Sequence, residues 1–175
     1  MYSVSRIIDN FLPEAEFKQL QEYMMSSMFP WYYNDAIDYE GDGKSMFIYA
    51  WFMHNVWNGD SRIIQSILDR LDPLAIQRIK ANLLTKDTEV TVNNYHTDHG
   101  YDTNIEGLVT AIYYVNSNNG KTIFKDGTEI ESVENRLIVF DANLEHTGTT
   151  ASDDRRIVIN FNYFAKPNVK EEDKC

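Results

Sequence analysis

His96-Thr97-Asp98 and His146 are the residues whose types and spacing could do chemistry. In an extended chain positions i and i+2 project to the same side, so the His96 imidazole and the Asp98 carboxylate leave a strand together. Glu89–His96 reads as that strand. His146 follows another predicted strand, in which Leu137, Val139 and Asp141 alternate with Ile138 and Phe140. Two imidazoles and one carboxylate on one face of a metal ion leave three adjacent coordination positions open, so that two reactants can meet at the metal. Arg156 opens the strand Arg156–Phe164, whose alternation puts Arg156, Val158, Asn160 and Asn162 on one face and Ile157, Ile159, Phe161 and Tyr163 on the other. A guanidinium at the end of the polar face suits two-pronged capture of a carboxylate.

Each neighbour has a plainer reading. His99 is out of phase with His96 and Asp98, which suits a loop or a supporting role rather than ligation. His54 lies among large apolar residues in Trp51-Phe-Met-His-Asn-Val-Trp57 and reads as a partly buried histidine with its polar atoms satisfied. Arg155 points away from Arg156 and reads as a surface charge, Glu145 as solvated. Arg156 itself competes with a rim position paired to Asp153 or Asp154. Asn160 and Asn162 fall on the inner face, where an amide is costly unless a ligand, water or another side chain pairs with it.

The elements that must position these groups come in two halves. Pro13, then Phe17, Leu20, Tyr23 and Met24 at helical spacing, predict a helix over 13–27. Asp60 or Ser61 as N-cap, followed by Ile63, Ile64, Ile67, Leu68 and Leu71, predicts a second, stopped by Asp72-Pro73. Between them lie the aromatic segment Phe29–Tyr33 and a turn at Gly41-Asp42-Gly43; Trp31, Tyr32, Tyr33, Trp51 and Trp57 suit packing better than a substrate groove. After Pro73 the period is two. Ile79, Ala81 and Leu83 alternate with Arg78, Lys80 and Asn82, and strands follow at Glu89–His96, Leu108–Asn116, Thr122–Lys125, Arg136–Asp141 and Arg156–Phe164, with hairpin signals at Asn118-Asn119-Gly120 and Asp126-Gly127. The expectation is a mainly β (α+β) fold with N-terminal helices: a jelly-roll, cupin-like barrel over 76–164, supported by the helical layer and aromatic segment of 1–75, with a polar tail at 165–175, in one domain spanning 1–175.

Composition limits the function classes. Lys and Arg number 16 against 27 Asp and Glu, a net charge of -11, so no nucleic-acid or anionic-membrane partner is expected. The only cysteine, Cys175, excludes an internal disulfide framework and a thiolate metal cage. No apolar run approaches the about 20 residues of a membrane span, and Arg6, Asp9 and Asn10 interrupt the first apolar stretch, so no signal peptide and a cytoplasmic location are expected.

The residues together resemble the iron(II)- and 2-oxoglutarate-dependent dioxygenases, particularly the prolyl 4-hydroxylase-like group, over about residues 76–164. His96-x-Asp98 resembles that family's first two metal ligands. Thr110-Ala-Ile-Tyr-Tyr-Val-Asn116 resembles the strand whose second Tyr, here Tyr114, shares the far carboxylate of 2-oxoglutarate. Asn119-Gly120-Lys-Thr-Ile-Phe124 resembles a Gly-Gly-x-Thr-x-Phe strand start, with Asn119 in place of one Gly. His146 and Arg156 resemble the distal ligand and the 2-oxoglutarate anchor, and the segment Phe29–Tyr33 is similar to one in small phage and marine-bacterial members; a phage-encoded protein would sit in its host's cytoplasm. The family's aromatic on the strand before the first metal His has no counterpart in Lys80-Ala81-Asn82-Leu83-Leu84; Asn82 and Asn94 are the candidates to replace it.

The resemblance implies Fe(II) held by His96, Asp98 and His146, 2-oxoglutarate held by Arg156 and Tyr114, and supporting roles for Asn160 and Asn162. It implies dioxygen as cosubstrate, ascorbate as a rescuing reductant, and hydroxylation of a peptide or small-molecule substrate coupled to formation of succinate and CO2. A prolyl residue is the family-level substrate, with loop Tyr101–Glu106 as the contact candidate. Two other classes share parts of the pattern: a cupin-type metalloenzyme that does not use 2-oxoglutarate, and a silent barrel serving as a binding module. The acid excess would repel a dianion, so its capture must depend on local positive charge, and a neutral or cationic substrate is favoured.

Overall fold

Pro13, with φ -55°, precedes the helix α1 (Glu14–Met25), and Ser26 ends it by turning extended. The computed structural model describes residues 4–37, 40–99 and 104–166. In chain order they form β1 (Arg6–Ile8), α1, β2 (Tyr32–Asn34), β3 (Met46–Met53), β4 (Val56–Trp57), a 3-10 turn (Ser61–Ile64) running into α2 (Gln65–Leu71), then β5 (Ala75–Leu84), β6 (Leu108–Tyr114), β7 (Lys121–Phe124), β8 (Glu129–Glu131), β9 (Arg136–Asp141), β10 (His146–Gly148) and β11 (Arg156–Phe164). Asp60 caps the 3-10 turn, its Oδ1 accepting from Arg62 N at 2.9 Å. Asp72 closes α2 in the left-handed region, φ 45°, just before Pro73.

The strands build two antiparallel sheets. The large one runs β1-β9-β6-β11-β5-β3-β2, with β4 paired to β3, and the small one β10-β7-β8. Alternation decides what each face of the large sheet meets. Ile79, Ala81, Leu83, Ile157, Ile159 and Phe161 pack with Phe17, Leu20, Met24, Ile64 and Ile67 of the helical layer. On the other face Ile112, Tyr114, Ile138, Phe140 and Val158 meet Phe124 and Ile130 of the small sheet. Buried apolar area of this kind stabilises by about 25 cal/mol per Å², and it holds the inner face open only where polar residues interrupt it. Those interruptions, on β5 and β11, mark the site.

Several expectations need correction. The described strands form an open sandwich of two sheets and are not joined into a closed barrel. Glu89–His96 is not a strand: it runs beside 146–150 with isolated bridges, Val92 to Thr149 and His96 to His146, and scattered hydrogen bonds in place of a continuous ladder. Of the aromatic segment Phe29–Tyr33, Tyr32 and Tyr33 enter β2, which pairs with β3 at the sheet edge; they and Trp57 are exposed rather than packed, whereas Phe29 and Trp51 are buried. His54 is exposed, not partly buried; with Asn55 it takes positive φ (54° and 61°) at the tight turn between β3 and β4, the two-residue geometry that matches strand twist. Residues 101–103 of the candidate substrate loop, most of the polar tail and Cys175 lie outside the described residues. No described helix is long and apolar enough to cross a membrane.

Candidate metal centre

His96 and His146 are brought together by their own backbones. His96 N donates to His146 O at 2.9 Å and His146 N returns the bond to His96 O at 3.0 Å. The rings stand 4.9 Å apart between centroids. Opposed residues of an antiparallel pair project to one face, so the bridge does what the expected strand was to do. His146 is buried against Phe140, ring to ring at 4.8 Å. Its Nδ1 lies 3.0 Å from the Leu144 carbonyl, which makes Nδ1 the protonated nitrogen and leaves Nε2 as the donor atom. Nε2 in turn is 3.9 Å from Asp98 Oδ2. His96, Asp98 and His146 each present one ligand atom, all within 4.8 Å of one another, and the cluster does not include His99.

Protonation favours ligation. Burial lowers the His146 pKa below its ordinary 6.5 against the opposing charge of Asp98, so the imidazole is neutral at pH 7. Burial penalises the Asp98 carboxylate, but His146, Arg78 and His96 and the Thr110 hydroxyl outweigh that and hold its pKa well below 3.8. A neutral imidazole and an ionised carboxylate are the states a cation needs. The donor set and its open side therefore fit a hard or borderline divalent metal such as iron(II).

Asp98 is held by a network that the sequence reading had found only in part. Arg78 Nη2 donates to Oδ1 at 2.7 Å, while Thr110 Oγ1 and Asn162 Nδ2 donate to Oδ2 at 2.8 and 3.0 Å. Arg78 Nε also donates to Asn162 Oδ1 at 2.9 Å, which closes the ring. Arg78 was missed, although its place in the Arg78-Lys80-Asn82 alternation puts it on the same face as the site. Arg78→Met should leave the fold intact and weaken divalent metal binding about 10–100-fold, the usual cost of losing a partner of a ligand; a manganese(II) titration of the purified protein measures it.

A cavity of about 370 Å³ opens from this cluster toward Arg156. Arg156 is 5% exposed, and both its hydrogen bonds go to hydroxyls: Nε to Ser132 at 3.1 Å and Nη2 to Thr122 at 3.0 Å. No described carboxylate pairs with it; Asp153 accepts from Asn119 N and Asp154 lies beside Arg155, so the rim reading is excluded. Burial presses the Arg156 pKa down, and a guanidinium stays charged regardless. A buried cation without an anion is an expensive arrangement unless a ligand completes it.

Thr122 joins Arg156 to Tyr114. The Tyr114 hydroxyl donates to Thr122 Oγ1 at 2.8 Å, and Arg156 takes the other lone pair, so the Thr122 proton is left to face the cavity. Tyr114, expected at the far carboxylate, is fully buried behind Thr122 and is not among the cavity-lining residues. Asn82 and Asn160 do line the cavity, and each has a buried Oδ1 without a hydrogen-bond partner. Asn94 does not: it is exposed, and the buried Asn93 lines the cavity in its place, because the irregular path of 89–96 breaks the alternation assumed for a strand.

The glycine pattern has a steric explanation. A Cβ at Gly120 would lie 2.8 Å from Arg156 Cδ and 2.9 Å from Thr150 O, and one at Gly148 would lie 3.1 Å from Arg156 Nη1. Asn119 is exposed and under no such pressure; its amide bonds Ser152 on both sides, at 2.9 Å each. Gly148→Ala should therefore displace the guanidinium and weaken dicarboxylate binding roughly tenfold, about 1.4 kcal/mol, with little change in melting temperature. Thermal shift with and without ligand separates the two effects.

No protein-family model matches the chain, and no curated protein matches it in sequence. Solved structures do. A prolyl-4-hydroxylase from Pseudomonas putida aligns with TM-score 0.63 at 16% identity, over 92% of each chain. A prolyl hydroxylase from Trichoplax adhaerens, in complex with a hypoxia inducible factor oxygen degradation domain peptide fragment, aligns with TM-score 0.62 at 17% identity, over 91% of this chain and 83% of that one. The viral collagen prolyl hydroxylase of Paramecium Bursaria Chlorella virus-1, in its 2-oxoglutarate complex, gives TM-score 0.58 at 17% identity, over 92% and 96%. The chain has the fold of the prolyl 4-hydroxylase-like group within the 2-oxoglutarate and iron(II) oxygenases.

Proposed function

We propose that the protein is an iron(II)- and 2-oxoglutarate-dependent dioxygenase that hydroxylates a C–H bond, in one catalytic domain whose two sheets form a double-stranded β-helix of the jelly-roll kind. The observation that carries this reading is Arg156: a buried guanidinium with no counter-ion among the described residues, at the far end of a cavity whose near end is His96, Asp98 and His146. A metal alone needs no such cation, so an anionic cosubstrate that reaches from one end to the other fits best. This favours the oxygenase over a cupin-type metalloenzyme without 2-oxoglutarate, and over a silent module.

When bound, iron(II) supplies the activation of dioxygen and the oxidative power, with 2-oxoglutarate as reductant, giving succinate and CO2. His96, Asp98 and His146 would hold it. Arg156 grips the far carboxylate, Thr122 gives it a proton to bond, and Tyr114 fixes the direction of that proton. Arg78, Asn162 and Thr110 keep the Asp98 carboxylate ionised and confine it to one orientation. Apolar Ile112, Val158 and Met46 in the lining limit water. Ascorbate would rescue oxidised iron.

The substrate proposed is a prolyl residue in a peptide, supported by a similar fold found with a bound peptide fragment. The test is succinate formation from 2-oxoglutarate with iron(II) and dioxygen, followed by mass spectrometry of candidate peptides for a product heavier by one oxygen atom. Succinate no greater than in a His146→Ala control would overturn the reading.

A further inference from the structure

Beside Arg78 and Arg156 the cavity is lined by a third cation, Lys80. Along β5 and β11 the inward residues stand in rows: Leu84 opposite Arg156, Asn82 opposite Val158, Lys80 opposite Asn160, and Arg78 opposite Asn162. Successive rows are two residues apart, about 6.6 Å. The last row holds Asp98 through Arg78 and Asn162; the first carries the carboxylate anchor. Lys80 and Asn160 thus lie one row from the metal ligands, on the path between them and Arg156, and both line the cavity.

Among the described residues Lys80 has no hydrogen-bond or ion-pair partner, and the buried Oδ1 of Asn160, like that of Asn82 in the next row, has none either. Arg78 is ion-paired with Asp98 at 2.7 Å, whereas among the described residues neither Lys80 nor Arg156 is ion-paired, Asp98 acting on Lys80 only at longer range. Two unpaired cations at two levels of one cavity match a dianion with a carboxylate at either end. Burial and the charge of Arg78 lower the Lys80 pKa to about 8, so it is still mostly protonated at neutral pH.

We propose that Lys80 binds the metal-side carboxylate of a 2-oxo dicarboxylic acid, with the Asn82 and Asn160 amides beside it, so that the ligand is held by Arg156 at one end and Lys80 at the other. This rests on the cavity being a 2-oxoglutarate site and specifies its near end, where none of the described lining residues carries an aromatic hydroxyl. The interaction is reversible binding and involves no bond making.

The test is calorimetric titration of the full chain, loaded with manganese(II), with two ligands: 2-oxoglutarate, which has both carboxylates, and 2-oxopentanoate, which keeps only the metal-side 2-oxo acid. Lys80→Met should weaken both roughly tenfold to a hundredfold, as for a charge-assisted hydrogen bond, and Lys80→Arg should restore much of the loss. Arg156→Met should weaken 2-oxoglutarate alone. Wild-type affinity for 2-oxopentanoate should fall as pH rises through about 8, and the Lys80→Met profile should lack that step. The groups facing Lys80 are Arg78 on its own strand, His96 and Asp98 from the segment after β5, His146 on β10 and Arg156 on β11; their contributions are common to both profiles. If Lys80→Met binds both acids like wild type while Arg156→Met loses 2-oxoglutarate, Lys80 has no such role and the site reading stands. If wild type binds neither acid, both fail.

Discussion

Replacing Arg156 by Met is expected to abolish the response to 2-oxoglutarate while leaving the metal-free protein as stable as before or more so. The two halves of this result have one cause. Arg156 is charged, 5% exposed and bonded only to the hydroxyls of Ser132 and Thr122. In the free protein its desolvation is uncompensated, and an apolar side chain of similar length removes that cost. With ligand bound, the same guanidinium faces a carboxylate in a dry pocket, where truncation costs about 2–5 kcal/mol, roughly 30-fold to several thousand-fold in affinity. Wild type at a hundred times its dissociation constant should gain about 2.7 kcal/mol, a melting shift of roughly 5–11 °C for a chain of this size. The variant should show no shift at the same concentration, and manganese(II) should still bind. A variant that keeps the full ligand-induced shift would show that Arg156 does not hold the dicarboxylate.

Asp98→Asn should have the second large effect, with the opposite sign on stability. An amide is a far weaker metal ligand than a carboxylate, so manganese(II) binding should disappear from a calorimetric titration. The substitution also strips Arg78 of its anion and turns an amide toward the donors of Thr110 and Asn162. Breaking a buried pair costs about 3–5 kcal/mol; with the Arg78 side chain 25% exposed, about 2–3 kcal/mol is expected, a drop of roughly 4–12 °C in melting temperature. His96→Ala is the control, since it removes a ligand but no member of the network. The pH dependence gives an independent check. The folded-state pKa of Asp98 lies below its ordinary 3.8, so its contribution is complete above 3.8 and disappears as pH falls through the lowered value. The gap between wild type and Asp98→Asn should close over that acidic range and persist at higher pH.

The reading that Arg78 supports Asp98, and that Lys80 stands beside the cosubstrate, also revises what net charge implies. A chain of charge -11 repels a dianion at a distance. Close to the site the field is reversed, because Arg78, Lys80 and Arg156 share one cavity with Asp98 as the single carboxylate among its described lining residues. The charge that governs binding is the local one.

Period-two alternation was enough to place Arg156, Asn160 and Asn162 inward and Ile157, Ile159 and Phe161 against the helices, because successive side chains of a strand must take opposite faces. The rule does not carry through 89–96, where Asn93 lines the cavity and the candidate Asn94 is exposed; there the chain meets the sheets at isolated bridges, and without a ladder to hold it the alternation lapses. Helix ends at Pro13 and Asp72-Pro73 were legible for a local reason as well, since ring and cap constraints act within a few residues. What meets what across the sandwich was not legible. That Arg78 reaches Asp98, that Thr122 bonds both Tyr114 and Arg156, and that Lys80 lines the same cavity as Asp98 and Arg156 depend on the register of β5 against β11 and on the packing of one sheet over another. Local spacing decides the side from which a residue leaves the chain, whereas its partner is chosen by long-range pairing and by which buried polar groups can satisfy one another.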